Sequence, residues 1–240
     1  MNTNYKIISL VFISFYLLMT KAAAQSDRYT AGLLANANFN FSLPQNWSAN
    51  LQVETRQLCL RGRFGEPAAF DYFHERLLGA LVVSRKIAER KSLGVGYMLQ
   101  HIQGGSGFVF AHRVSGQYVY SRILSNYRYA HRLILEANFR PQQANNYRLR
   151  YRFALELPLS GATVDVHEYY IRTMSELFFT LPTPNADGEV RISFFIGHRI
   201  TKTQKLELGL DYRISRLAQA ERQHQFWLHV AYFAAFSSRK

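Results

Sequence analysis

The stretch from Arg148 to Phe153 alternates strictly between arginine and an apolar side chain. Successive side chains of a β-strand point to opposite faces, so the three arginines share one face and the three apolar residues share the other. The same period of two recurs along most of the chain, for example in Lys205–Ser215 and His224–Phe236. A membrane β-barrel with a charged interior and an apolar exterior accounts for this pattern. The sequence therefore predicts an all-β, antiparallel up-and-down transmembrane β-barrel.

Residues 1–24 have the pattern of a cleaved secretory signal peptide. Lys6 supplies the positive charge, Ile7–Met19 forms the apolar core, and Ala22–Ala24 matches a cleavage site. The apolar run is too short to span a bilayer well. We therefore expect export, a barrel domain over residues 25–240, and a location in the outer membrane of a Gram-negative-type cell.

The chain is basic, with a formal net charge of +13, which becomes +11 once Lys6 and Lys21 leave with the signal peptide. A basic chain can bind nucleic acid. Here, however, the cations are spread over alternating strand positions and lie behind an export signal. We expect outer-membrane lipids as partners and no nucleic acid. The single cysteine, Cys59, excludes an intramolecular disulfide.

Eleven segments alternate, yet single-chain bacterial barrels have even strand numbers. We therefore expect ten to twelve strands, and the rule of even numbers makes ten or twelve the expected count. Pro44–Asn46 has the composition of a tight turn. The long connections are expected on the outer side of the membrane: Leu58–Ala69, Ile102–Gly107, Arg140–Asn146, Thr180–Glu189 and Arg216–Gln223.

The alternative fold is a soluble β-sandwich or a periplasmic lipocalin-like binding barrel, which would turn the apolar face inward. The chain holds 15 tyrosines and 18 phenylalanines, many for a soluble protein of this size. Several aromatic residues fall near strand ends, where membrane barrels carry their interfacial girdles. This placement favours the membrane barrel.

The order of several short motifs resembles that of the DUF2490 family of outer-membrane proteins. These motifs are Trp47…Leu51…Glu54…Arg56, Leu93–Tyr97, Ala111–Arg113, His131-Arg132…Glu136, Arg148–Tyr151, Glu176–Phe179 and Leu206–Leu210. The resemblance implies an outer-membrane barrel with no established activity. Phe236, near the chain end, is the candidate aromatic signal for the barrel-insertion machinery.

The strand pattern predicts a set of charged side chains in the lumen. It comprises Arg128, Arg132, Glu136, Arg148, Arg150, Arg152, Glu156, Glu168, Arg172, Glu176, Arg191, Arg199, Glu207, Asp211 and Arg213. In one interpretation these charges pair with one another and fill a structural barrel. In the other, the excess of arginine forms a pore or cavity that favours small anionic solutes.

Three His-Arg pairs, at residues 112–113, 131–132 and 198–199, should place arginine inward and histidine outward. They lie on different strands and do not converge as metal ligands do, so we expect no metal. The glycines of Leu93–Tyr97 lack the third glycine and the helix of a nucleotide fingerprint, and we expect no cofactor.

A lipid-modifying hydrolase is the alternative function. Its candidate pairs are His112 with Ser115, and His131 with Ser121 or Ser125. A nucleophile needs a base within hydrogen-bond reach. His112 and Ser115 should face opposite sides of a strand, while Ser121 could meet His131 only in a suitable register. An enzyme is therefore the less favoured class, and we assign no catalytic residue.

Overall fold

The computed structural model describes residues 27–104, 107–141, 144–181 and 186–237. The predicted signal peptide lies outside the described residues. The described residues form strands joined by turns and loops, with no helix. The strands are β1 (Arg28–Ser42), β2 (Trp47–Arg63), β3 (Ala69–Ala88), β4 (Lys91–Gly104), β5 (Gly107–Ile123), β6 (Arg128–Phe139), β7 (Asn146–Pro158), β8 (Tyr169–Leu181), β9 (Asp187–Arg199), β10 (Gln204–Ser215) and β11 (Gln223–Ser237).

The strands close into one barrel in which every strand pairs with its neighbours along the chain, and β1 pairs with β11. The predicted all-β up-and-down barrel is therefore confirmed. The expectation of an even strand number is wrong, because the described residues form eleven strands. With an odd number, β1 and β11 run in the same direction, and they pair in parallel along their whole length, from Arg28 with Gln223 to Ser42 with Ser237.

Alternation along each strand separates a charged inner face from an apolar outer face. On β6, Leu135 is 64% exposed while the next residue, Glu136, is 5% exposed. Exposed large apolar side chains occur on each of the eleven described strands, whereas many of the buried side chains are charged. This distribution is the inverse of a water-soluble core, in which apolar groups are buried.

The two ends of the barrel are named by the residues there: the Asp27 end and the Ser237 end. All five connections predicted to be long lie at the Asp27 end, although much of Leu58–Ala69 and Ile102–Gly107 is strand. At the Ser237 end, Pro44–Trp47 forms the predicted tight turn. Gln45 and Asn46 adopt positive φ, and the Trp47 amide donates to the Pro44 carbonyl at 3.2 Å. The ten residues 159–168 make a longer connection at this end.

A buried hydrogen-bond chain joins the start of β1 to the start of β11. The Asp27 carboxylate accepts the Arg222 amide at 3.0 Å and lies 3.2 Å from His224 Nε2. His224 Nδ1 lies 2.8 Å from the Tyr212 hydroxyl on β10. These contacts, called the seam latch below, connect the residue before β1 to β10 and β11, the last two strands of the barrel.

Within the described residues, no helix has the length and apolar character needed to span a membrane.

Candidate functional site

The middle of the barrel holds a narrow cavity of about 220 Å³, called the central chamber below. Among the described residues, ten arginines but only four carboxylates line it. The arginines are Arg56, Arg76, Arg113, Arg132, Arg148, Arg150, Arg152, Arg172, Arg191 and Arg213, and the carboxylates are Glu54, Glu136, Glu176 and Asp211. Eight of the eleven strands contribute one of these charged groups, so the closed barrel brings together cations that are far apart in sequence.

Two of the four chamber carboxylates are each shared by several guanidinium groups. Glu176 forms an ion pair with Arg150 at 2.7 Å, with Arg191 at 3.9 Å and with Arg152. Its side chain is only 5% exposed. Burial of a carboxylate is costly unless charge and hydrogen bonds compensate it, and three guanidinium groups supply both.

Glu136 is the second shared carboxylate. It contacts Arg148 at 2.7 Å, Arg113 at 3.6 Å and Arg150 at 3.7 Å. Arg132, in contrast, donates to the side-chain oxygen of Gln117, at 2.8 Å from its Nε. A neutral amide oxygen leaves the positive charge of Arg132 uncompensated by that contact.

Aromatic rings inside the barrel provide further contacts for the arginines. Phe178 is 2% exposed, and the guanidinium carbons of Arg148, Arg150 and Arg191 lie 4.7, 4.9 and 4.2 Å from its ring centre. Arg172 lies 4.7 Å from the ring centre of Phe195. Cation–π attraction is stronger in a desolvated site, so these rings help to stabilise an excess of buried cations.

A wider cavity of about 490 Å³, called the vestibule below, lies toward the Ser237 end. Arg128, Arg172 and Lys205 line it together with Glu156 and Glu207. Lys205 Nζ lies 3.4 Å from Glu156, and Arg172 pairs with Glu207. Small side chains at Ala130, Ala154 and Ala235 leave the vestibule wider than the central chamber.

The structure places most of the sequence-predicted lumen residues in these two cavities. The central chamber takes Arg132, Glu136, Arg148, Arg150, Arg152, Arg172, Glu176, Arg191, Asp211 and Arg213, and the vestibule takes Arg128, Glu156, Arg172 and Glu207. Arg199 lies elsewhere, at the Ser237 end, where its guanidinium donates to the loop carbonyls of Val164 and Lys202. Glu168 lies in the loop before β8 and accepts the Asp165 amide at 2.8 Å.

Several chamber residues were absent from the predicted set. Arg56 and Arg76 have the same alternation as the predicted arginines, so the sequence signal is present, and Arg113 is the arginine of a His-Arg pair already expected to face inward. The inward rings of Phe178 and Phe195 gave no such signal, because each belongs to a Phe-Phe pair of which only one member faces inward. An apolar side chain by itself indicates the outer face of a membrane barrel.

The histidines of the three His-Arg pairs lie on the outer face, each beside a tyrosine. Tyr97 Oη is 2.6 Å from Nδ1 of His112, and Tyr151 Oη is 2.7 Å from Nδ1 of His131. His198 stacks on Tyr169 with ring centres 4.6 Å apart. In the described part of the chain, no three His, Cys, Asp or Glu side chains converge as a metal site.

The register separates the candidate serine and histidine pairs of a hydrolase. Tyr120 is the residue opposite His131, while Ser121 is opposite Ala130. Ser121 therefore points inward and His131 outward, and the sheet lies between them. Ser115 likewise lines the central chamber, while His112 on the same strand faces outward beside Tyr97. Ser125 lies in the turn before β6.

The family model described as "Protein of unknown function (DUF2490)" matches residues 31–224, which run from β1 into β11. This chain belongs to the DUF2490 family. The resemblance seen in the sequence motifs is thereby confirmed over residues 31–224, and the description of the DUF2490 family assigns no activity. No curated protein and no solved structure matches the chain.

Proposed function

We propose that this DUF2490 barrel spans an outer membrane and provides a narrow, positively charged passage for small anions. The observation that carries the proposal is the combination of an apolar outer face with ten arginines and four carboxylates around one central chamber. Outer-membrane lipids would cover the outer face. The barrel-insertion machinery would recognise Phe236, which is 48% exposed and stacks on Phe41 of β1.

The shape of the outer face supports placement in a bilayer. The strands contain 12 to 20 residues, more than the roughly 9–11 that a tilted strand needs to cross. Exposed aromatic residues lie toward both ends: Trp47 and Tyr169 at the Ser237 end, and Phe70 and Phe108 at the Asp27 end. Leucine and valine predominate between them, as in the apolar band and flanking girdles of membrane barrels.

The interior argues against the two alternative functions. A lipocalin-like barrel holds an apolar ligand in an apolar cavity, whereas charged groups line the central chamber of this barrel. A lipid hydrolase needs a nucleophile beside its base, whereas Ser121 and His131 lie on opposite faces. An Arg-lined bore favours anions. A closed structural barrel would have the same fold, so a conductance measurement has to distinguish it from an anion passage.

The test is the reversal potential of the refolded protein in planar bilayers under a potassium chloride gradient. We expect the reversal potential to have the same sign as the equilibrium potential of chloride, as in an anion-selective pore. Arg132→Gln removes a cation whose contact is the neutral Gln117, so it leaves no carboxylate without a partner. This variant should move the reversal potential toward zero, and the charge reversals Arg132→Glu, Arg150→Glu and Arg152→Glu should move it further.

Arg85→Gln is the matched control, since Arg85 lies outside the lumen against the ring of Trp47. It should keep the reversal potential of the natural protein. A folded barrel that does not conduct would contradict the passage and favour the closed structural barrel. Cation selectivity would contradict the proposal as well.

A further inference from the structure

The part of the central chamber nearest the Asp27 end contains a group of donors, called the arginine box below. It consists of Arg56, Arg76, Arg213 and His229, which line the chamber, and the ring of Trp227 lies beside two of them. Trp227 is 1% exposed, and the guanidinium carbons of Arg56 and Arg213 lie 5.7 and 5.9 Å from its ring centre. Two guanidinium groups on one indole ring are fixed in position before any ligand arrives.

The two carboxylates beside the arginine box already pair with two of its arginines. Glu54 accepts from Arg56, at 2.8 Å from its Nε and 2.6 Å from its Nη2. Asp211 pairs with Nε of Arg213 and accepts the Ser193 hydroxyl at 2.7 Å. Each carboxylate therefore compensates one arginine on its own strand, and neither has an ion pair with Arg76 among the described residues.

Three donors of the box have no hydrogen-bond partner among the described residues: Arg76 Nε, Arg213 Nη1 and His229 Nδ1. The side chain of Arg213 is only 4% exposed, and His229 is 7% exposed. A buried donor without a partner is destabilising, and more so if it is charged. All three side chains line the same chamber, so an acceptor bound there could supply partners that the described protein groups do not.

The hydrogen bonds of His229 show that its free nitrogen is a donor. Asn38 donates to the Asn36 side-chain oxygen at 3.0 Å, so the Asn36 amide nitrogen faces His229 Nε2, 2.7 Å away. That nitrogen can only donate, and Nε2 is therefore the acceptor of the imidazole. In a neutral ring the proton then lies on Nδ1, which adds a third N–H to those of Arg76 and Arg213.

We propose that the arginine box is a binding site for one small, doubly charged tetrahedral oxyanion, represented by inorganic phosphate. This inference rests on the proposed function and names the class of anion that the passage selects. An oxyanion offers acceptors in several directions, as the three separate donors require, and guanidinium groups match it well. The excess of arginine over acid in the chamber favours a dianion. A volume of about 220 Å³ lies below the roughly 300–1,000 Å³ of sites for larger organic ligands.

The experiment uses the fluorescence of Trp227 in the refolded barrel in detergent. The chain has two tryptophans, so Trp47→Phe leaves Trp227 as the sole tryptophan, which is excited selectively. Sodium phosphate and sodium sulfate should each change its emission in a saturable way. Sodium chloride and sodium acetate at the same ionic strength should not.

Two variants in that background test the donors. Arg213→Lys keeps the charge but loses the planar fork, and Arg76→Gln removes a donor without breaking an ion pair of the described residues. Each should weaken phosphate binding about tenfold or more. Arg61→Gln is the control, because Arg61 lies at the same end but is 63% exposed and pairs with Asp71. Heat-dependent migration in a detergent gel verifies that each variant is folded.

Several results would overturn the inference: no saturable response to phosphate, an equal response to chloride or acetate, or equal weakening by Arg61→Gln. This test needs no conductance, so it fails separately from the proposed function. Anion-selective current without phosphate binding would support the anion passage and contradict the phosphate site. Phosphate binding in a barrel that does not conduct would support the phosphate site and contradict the passage.

Discussion

At the scale of the residue, three inward aromatic rings each lie over a glycine of the next strand. Tyr170 is opposite Gly197, Phe195 is opposite Gly209, and Trp227 is opposite Gly32. A Cβ at Gly32 would lie 2.9 Å from the ring of Trp227, and at the other two glycines it would overlap the facing ring. Glycine therefore lets each ring lie close to the barrel wall, where cationic side chains can stack on it.

Gly197→Ala tests this arrangement. The added methyl group must displace the ring of Tyr170, which is fully buried and has Lys205 Nζ 4.8 Å from its centre. We expect the free energy of unfolding in urea to fall by about 1–3 kcal/mol, the usual cost of overpacking. Gly116→Ala is the control, since a Cβ there has no heavy atom within 4 Å. A loss as large in Gly116→Ala would show that the ring contact is not the cause.

At the scale of the element, the parallel pair of β1 and β11 is the least expected part of the barrel. The seam latch holds it at the Asp27 end, where Asp27 is 1% exposed. Burial alone would raise the pKa of the Asp27 carboxyl. The Arg222 amide and His224 more than offset burial, so the pKa lies below its ordinary value of 3.8.

A lowered pKa fixes the direction of the pH dependence. The stabilisation by Asp27 is complete above pH 3.8 and is lost as the pH falls through the lower pKa of the folded state. Asp27→Asn should therefore be less stable than the natural protein at pH 7, by about 1–3 kcal/mol. The difference should vanish in strong acid.

The measurement is urea unfolding of both proteins from pH 7 down to pH 2. Glu221→Gln is the control, because Glu221 joins Arg28 and Arg63 through partly exposed ion pairs that contribute little. A difference between Asp27→Asn and the natural protein that is constant with pH would contradict the charged latch.

At the scale of the whole molecule, the period of two predicted the fold and the contents of the lumen, because it depends only on neighbouring residues. The eleven alternating segments correspond to the eleven strands. The closing pair could not be derived this way, since β1 and β11 are joined by contacts between residues nearly 200 positions apart. Strand ends are also harder to predict: Arg85 and Lys86 are charged, yet β3 continues through them to Ala88.

The sequence also does not predict which arginines pair with which carboxylates around the chamber. The alternation indicated that Arg150 and Glu176 face inward, but their pairing depends on strand register and on the length of the guanidinium side chains. The arginine box likewise needs β2, β3, β10 and β11 to meet. Local patterns predict which face a side chain occupies, and closure of the barrel decides what it contacts.

The central claim is that the outer face contacts lipid while the charged face encloses the lumen, and the two tryptophans test it directly. Trp47 is 39% exposed on the outer face, and Trp227 is buried inside. In vesicles with lipids brominated near the headgroup, Trp227→Phe, which retains Trp47, should show strong quenching. Trp47→Phe, which retains Trp227, should show almost none. Quenching of Trp227 with Trp47 unaffected, or of neither residue in a folded barrel, would contradict the account.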